Sequence, residues 1–476
     1  MQIDQQAALL NKPVQAATPV LPSAVRNWRT WMVLAVAVLL LARFALMIAA
    51  PLADTTEARY GELARQTAMN GYWLMPHMDA QTPFFAKPPL STWISAASMK
   101  LFGVNEFAAR LPDFLAALPA LWISALFASA LGVRQRWLVV PVLFASPLFF
   151  VSAGAVMTDS AQMTIIWAAQ YCAWRALDTT REQGSSWRLG FWALIGLGAL
   201  SKGLATWALI GMPMIVYALL QRRAMQMLRR MWDWAGVALA CAIFLPWYIA
   251  AERAYPGFVS YFIVGEHFSR FLVPGWTGDR YGFAHRQPFG AIWVFWIGAA
   301  LPWMYVFFPR VTAALRRRVA LDPLSCFLWC ATLVPLVFFT FSRNIIWTYA
   351  LTALPSFAVL VAQHIENSSA QAQRRTAAGL LIFALLVAVA TPLVVKQIGR
   401  NSDRALVQEF YKLAPVGTTL QYAGNPAFSS AFYTRGNLQH VSGVGQHKGY
   451  VVVDNGEVHG AQVLFANSRR SLVEEK

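Results

Sequence analysis

The sequence predicts an all-α polytopic membrane protein of about eleven and up to thirteen transmembrane helices. Interfacial helices in the first outer loop and a small carboxy-terminal α/β domain complete the expected fold. Three observations carry this reading. Of 476 residues, 57% are hydrophobic and 13% charged, with a mean hydropathy of +0.45; soluble domains carry about 25% charge. Apolar runs long enough to cross a bilayer, roughly 17–25 residues, recur along the chain. The arginines behind the net charge of +17 gather in short clusters between those runs, such as QRRAMQMLRR (221–230) and RRR (316–318). Polytopic proteins hold their cytoplasmic loops in this way, so the charge argues against nucleic acid as a partner.

The spans are expected at 30–52, 108–131, 137–153, 159–177, 188–203, 205–221, 234–251, 289–309, 323–341, 345–363 and 377–395. The first follows Arg26 and Arg29 and ends near MIAAPLA, but its apolar region is too long for a signal peptide. Lys12, Arg26, Arg29 and the loops holding Arg134/Arg136, Arg175/Arg181, 221–230, 310–318 and Arg374/Arg375 alternate onto one side, assigned to the cytoplasm. The chain then divides into a cytoplasmic segment (1–29), a membrane domain (30–395) and a periplasmic domain (396–476). Two long loops, 53–107 and 252–288, fall on the outer side with that last domain. GTTLQYAG, GYVVVDNG and AQVLFAN in the tail read as short strands between Gly/Asn turns. Cys172, Cys241, Cys326 and Cys330 all lie in apolar segments and form neither a disulfide framework nor a zinc pattern.

Loops longer than about 15 residues usually have a function. In the first, Tyr60, Leu63, Ala64, Thr67 and Ala68 line one helical face, with Arg59, Glu62, Arg65 and Gln66 on the other. A second stripe follows in LSTWISAASMKLF, through Leu90, Trp93, Ile94, Ala97 and Leu101. Between the two stands QTPFFAKPPLSTW (81–93), where Pro88 and Pro89 stiffen the backbone after Lys87 at a helix start. Such a cation needs a phosphate or carboxylate partner.

Five other charged residues have two readings each. Asp54 and Glu57 in ADTTEARYGE form a capping box, or Asp54 is a carboxylate at a cavity mouth, with Glu57 as helper or alternative. Asp159 in AVMTDSAQM is an N-cap or a third acid of the same site. Lys202 in SKG complements a helix C-terminus or holds a phosphate. Arg270 in EHFSRF is a snorkelling interfacial arginine or a ligand for an anion. Arg43, mid-span in LLLARFALM, is expected to pair inside the bundle without a catalytic role.

DTTEARYGELARQ…GYWLMP…FFAKPPLSTWISAASMKLFGVNEFAARLP resembles the first outer loop of bacterial glycosyltransferases of the protein-mannosyltransferase/aminoarabinose-transferase type. ALSKG (199–203), GEHFSRF (265–271), HRQPFGAIWVFWIGAALPW (285–303) and SRNIIWTYALTALP (342–355) follow in the same order, so the resemblance covers residues 30–365. It implies an enzyme of the bacterial inner membrane that moves a sugar from a polyprenyl-phosphate (undecaprenyl-phosphate) donor to lipid A, another envelope glycan or a protein. It also assigns donor-phosphate binding to Lys87 and Arg270. Cations fixed in a water-poor cavity would stabilise the charge that builds on the leaving phosphate. A hydroxyl acceptor would use Asp54 as general base, whereas a phosphate acceptor needs only to be oriented.

No cofactor is required by such chemistry. Glu266, His267, Asp279 and His285 could be read as metal ligands, but scattered loop residues of these types are more often solvated or hydrogen-bonded. Two departures bear on the substrate: aminoarabinose transferases carry Asp next to Glu in D-E-x-R-Y, where this chain has Asp54-Thr55-Thr56-Glu57, and Glu before the lysine, where it has Ala86. A transporter or flippase for a lipid-linked glycan is the alternative class. It would call for broken-helix pairs near the midplane, whereas the charged candidates here cluster at one face.

Overall fold

A computed structural model describes residues 23–177, 184–282, 285–317, 321–342, 344–442, 449–458 and 462–475. The segment 1–22, Arg181 and Arg318 of the expected cytoplasmic face lie outside the described residues.

The long helices are α1 (Ser23–Ala49), α4 (Glu106–Ala130), α7 (Asp159–Leu177), α8 (Gly184–Lys202), α9 (Leu204–Leu220), α11 (Trp234–Ala254), α14 (Pro323–Thr340), α15 (Leu354–Glu366) and α16 (Ala370–Gly399), with the short α10 (Ala224–Met231) between α9 and α11. Six described segments are long and apolar enough to cross a membrane: Trp28–Ala49, Glu106–Ala130, Trp234–Ala254, Pro323–Thr340, Trp347–Glu366 and Ala370–Gly399. The protein is a multi-pass membrane protein. Its outer faces show Val389, Leu393 and Trp122 well exposed, as a lipid-facing surface requires.

Two expected spans are not single helices. The run 137–153 is split into α5 (Val139–Ala145) and α6 (Pro147–Ser152), and 289–309 into α12 (Ala291–Ala300) and α13 (Met304–Arg317). Pro147 and Pro302 stand at the breaks: proline lacks an N–H to continue the helix and disfavours helical backbone in the residue before it.

The first long loop contains α2 (Thr56–Asn70) and α3 (Leu90–Phe102). On α3 the small residues Ser91, Ser95, Ala96 and Ser98 are buried, while Leu101 and Phe102 are exposed. Small side chains let α3 approach α2 and α4 closely. On α2 the expected water-facing residues Glu62, Arg65 and Gln66 are instead buried. The reason is non-local: Arg65 pairs with Glu62 at 2.6 Å and donates to the Arg435 carbonyl of the tail domain at 3.0 Å. That domain covers the face that the sequence pattern left to solvent.

No capping box forms. Thr55 occupies the N-cap of α2 without a side-chain bond, and Glu57 is taken by Arg110 of α4 through two 2.8 Å hydrogen bonds. The rest of the Arg110 guanidinium donates to the carbonyls of Leu46, Met47, Ala50 and Pro51, at and just beyond the end of α1. Helix ends leave such carbonyls without intrahelical partners, and Arg110 supplies them. Arg43 is also buried inside the bundle, donating to the Ala153 carbonyl at 2.7 Å with its guanidinium 5.8 Å from the Phe150 ring centre.

After α16 the chain forms α17 (Arg404–Leu413) and α18 (Phe428–Tyr433) on a five-stranded sheet ordered β2-β1-β3-β5-β4. The strands are β1 (Leu420–Ala423), β2 (Leu438–Val441), β3 (Gly449–Asp454), β4 (Gln462–Ala466) and β5 (Arg470–Glu475). β1 is parallel to β2 and β3, and β5 is antiparallel to β3 and β4. Leu406, Phe410, Leu420 and Val452 form its core. Beside them Asp403, 2% exposed, accepts from Tyr422, Ser430, Asn467 and Arg470.

Candidate functional site

The stiff Lys87 segment is fixed from the second loop. The Tyr281 hydroxyl donates to the Pro83 carbonyl at 2.7 Å and accepts from the Phe85 amide at 3.0 Å. Arg59 of α2 donates to the Tyr281 carbonyl at 2.7 Å. Lys87 Nζ then donates to the Ala86 carbonyl at 2.7 Å and to Glu266 Oε2 at 2.8 Å. Position 86 carries no carboxylate, but the second loop puts one beside the lysine.

Glu266 lies in a π-helical segment, Tyr261–Ser269, that runs into Arg270. Arg270 Nη2 donates to Glu266 at 3.2 Å and also to Asp279. Asn344 places this segment, donating to the carbonyls of Arg270 at 2.6 Å and Val273 at 2.7 Å. At the end of α8, Lys202 Nζ meets Asp159, the first residue of α7, at 2.8 Å. His267 Nδ1 lies 2.8 Å from the Phe262 carbonyl and Nε2 3.0 Å from the Lys202 carbonyl.

Lys87, Asp159, Lys202, Glu266 and Arg270 all line one cavity of about 550 Å³. Four residues singled out from the sequence therefore converge: Lys87, Arg270, Lys202 and Asp159. The other two do not line it. Asp54 accepts from the Ser429 amide at 3.0 Å and from the Ser429 hydroxyl, which ties it to α18 of the tail domain. Glu57 is held by Arg110, as described above. Glu266, which the sequence offers only as a possible metal ligand, is the link between the two cations, and two further lining residues carry no sequence signal: Asn344, the support for Arg270, and Thr348. The Thr348 hydroxyl is buried without a hydrogen-bond partner among the described residues. Glu266 and Asn344 act through distant neighbours, so no local spacing marks them.

The electrostatics follow from these contacts. Burial works against the Lys87 ammonium, but Glu266 beside it, aided by Tyr60, holds its pKa above the ordinary lysine value. Arg270 shows the same balance, with burial outweighed by Glu266 and Asp279. Burial lowers the His267 pKa, and neighbouring Lys87 adds to the effect. Burial raises the Asp54 pKa against the hydrogen bonds from Ser429. For Glu57 burial pulls upward, but Arg110 outweighs it and holds the carboxyl below its usual range. Among the described residues, no group of three or more His, Cys, Asp or Glu is arranged to hold a metal ion. Glu266 and Asp279 are engaged with Arg270, and His267 with two carbonyls.

The fold and site define a multi-pass membrane protein in which three cations, each paired with a carboxylate, line one cavity beside two joined loops. Comparison with known proteins narrows that class. The family described as dolichyl-phosphate-mannose-protein mannosyltransferase matches residues 86–249. An undecaprenyl phosphate-alpha-4-amino-4-deoxy-L-arabinose arabinosyl transferase of Erwinia tasmaniensis is 28% identical over 71% of this chain and 60% of its own length. Its counterpart in Shewanella sediminis is 28% identical over 75% and 63%, respectively. The chain thus spans about 60% of the length of these curated relatives. The crystal structure of ArnT from Cupriavidus metallidurans bound to undecaprenyl phosphate shares the fold, with a TM-score of 0.79. The match has 19% identity and covers 93% of this chain and 98% of that one. The chain is related to membrane glycosyltransferases of the protein-mannosyltransferase and aminoarabinose-transferase type.

Proposed function

We propose that the protein transfers a sugar from a polyprenyl-phosphate donor to lipid A or another envelope lipid or glycan at the outer face of the bacterial inner membrane. The convergence of Lys87 and Arg270 on one cavity, on loops distant in sequence, carries the reading. The relatives named as arabinosyl transferases of undecaprenyl-phosphate sugars supply the substrate class.

In this reading Lys87 and Arg270 hold the donor phosphate, and Lys202 with Asp159 serves the acceptor. The acceptor oxygen bonds to the anomeric carbon as the carbon–oxygen bond to phosphate breaks, and the phosphate leaves with the electron pair. Cations already in position stabilise that charge without reorganising. A hydroxyl acceptor gives its proton to Asp159. A phosphate acceptor is already ionised and is held by Lys202. Asp54 and Glu57 have structural roles here, and side-chain cations meet the charge requirement. The membrane orientation belongs to the same reading: the loops with Arg134, Arg136, Arg175, Arg374 and Arg375 face the cytoplasm, and the two long loops and the tail domain face the periplasm.

The test is transfer from a radiolabelled undecaprenyl-phosphate sugar in membranes. Lys87→Ala is expected to reduce transfer at least about 100-fold, and Lys202→Ala to lower it with intact donor binding. Mass spectra of lipid A from cells with and without the protein identify the added sugar. Undiminished transfer by Lys87→Ala, with the protein present at normal levels, would overturn the reading.

A further inference from the structure

Glu266 lies at the centre of the cationic clamp, yet the reaction outlined above gives it no step. It is 8% exposed, and its carboxylate accepts from Lys87 at 2.8 Å, Arg270 at 3.2 Å and the Tyr261 hydroxyl at 3.3 Å. Asp279 engages the same Arg270 nitrogen. Two cations therefore meet two carboxylates in direct contact, and the formal charge of the group is zero. The Lys202–Asp159 pair in the same cavity is balanced as well.

The clamp still has donors to offer. The Lys87 ammonium carries three hydrogens, and among the described residues its acceptors are the Ala86 carbonyl and Glu266. Arg270 Nε is buried and has no partner among the described residues. An anion with one negative charge finds hydrogen bonds here. Among the described residues that line the cavity, a second charge finds no uncompensated cation, and charge without a partner is costly in a water-poor site.

The two lipid phosphates of the reaction differ in this respect. The sugar donor is a phosphodiester with one negative charge. Once the bond to the anomeric carbon breaks, the carrier is a phosphomonoester, with about −1.5 to −2 charges at pH 7. We propose that Glu266 is a specificity-determining residue that keeps the Lys87–Arg270 clamp electrically neutral, so that it accepts the phosphodiester and releases the phosphomonoester. This rests on the assignment of the cavity as a phosphate site. It gives Glu266 the task of clearing the spent carrier, with some loss of charge stabilisation during the transfer itself.

The full chain in nanodiscs allows a direct test, with a short polyprenyl monophosphate and its methyl phosphodiester as probes. Wild-type protein is expected to bind the diester at least as tightly as the monoester. Glu266→Gln removes the charge at constant shape and is expected to tighten the monoester about tenfold, while moving the diester less than about threefold. Glu266→Asp keeps the charge and the wild-type ratio. Asp279→Asn lightens the same balance and shifts the ratio in the same direction, which tests the idea even if Glu266→Gln does not fold. A ratio unchanged in the folded variants overturns the role of Glu266 and leaves the phosphate site standing. Wild-type protein that binds neither lipid overturns both.

Discussion

At Lys87 the backbone and one carboxylate share the work of aiming. Pro88 and Pro89 fix the chain, the Ala86 carbonyl takes one ammonium hydrogen at 2.7 Å and Glu266 another at 2.8 Å. Arg270 depends on geometry more than on charge alone, because the single nitrogen Nη2 serves both Glu266 and Asp279 and, among the described residues, Nε has no partner, which leaves the rest of the guanidinium fork for a ligand. Arg270→Lys keeps the charge and loses the fork, and is expected to weaken polyprenyl-phosphate binding about tenfold; binding within about twofold of wild type would count against a fork-dependent site. His267 gives a pH signature. Its pKa in the folded protein lies below the ordinary imidazole value, so the unfolded chain takes up the proton first as the pH falls. The stability held by the neutral ring is complete above about pH 6.5 and is lost below it. Melting temperature is thus expected to drop between pH 7.5 and pH 5 more steeply in wild type than in His267→Gln. Parallel slopes would sink this account.

At the scale of elements, α2 is a shared wall between the bundle and the tail domain. Asp54 accepts from Ser429, and Glu106 from the Tyr433 hydroxyl at 3.1 Å, so α18 is pinned at both ends. Asp54→Ala leaves the buried Ser429 amide without an acceptor and is expected to cost about 1–3 kcal/mol. The measurable result is faster proteolytic release of the tail domain. Asp54→Asn, which can still accept that hydrogen bond, is expected to stay close to wild type. A loss of transfer beyond about tenfold in Asp54→Asn, with the tail still docked, would return Asp54 to the chemistry. Much of this level was legible in the sequence. The helix around Tyr60, the helix start after Lys87 and three of the five strands follow from period and proline placement. What lay hidden was contact between distant segments. Glu62 and Arg65 look solvent-facing because nothing nearby shows that Arg435, 370 residues on, returns to cover them. Asp54 and Glu57 show the same limit: their spacing fits a cap, but Ser429 and Arg110 claim their oxygens.

Across the whole molecule, long-range polar joints supplement the buried apolar core of the bundle. The salt bridge of Arg110 to Glu57 is two-pronged, and Arg110 itself is 2% exposed. Removing one member of a buried pair strands the other, at about 3–5 kcal/mol. Arg110→Ala is therefore expected to lower resistance to denaturant across the whole bundle, with the tail domain and α1 loosening together. Loosening of α1 alone would show that the joint is local.

The same guanidinium has a consequence for how the protein is made. The Ala50 carbonyl that Arg110 completes is 60 residues earlier in the chain. At about 5–20 residues per second, the ribosome needs several seconds to deliver that partner. During that interval the carbonyls at the end of α1 depend on water or the translocon. Nascent chains arrested before Arg110 emerges are thus expected to leave a cysteine introduced at Ala53 open to a water-soluble reagent. Chains arrested well beyond it are expected to protect that cysteine, which makes the arrival of α4 the moment at which the first turn of the chain becomes permanent.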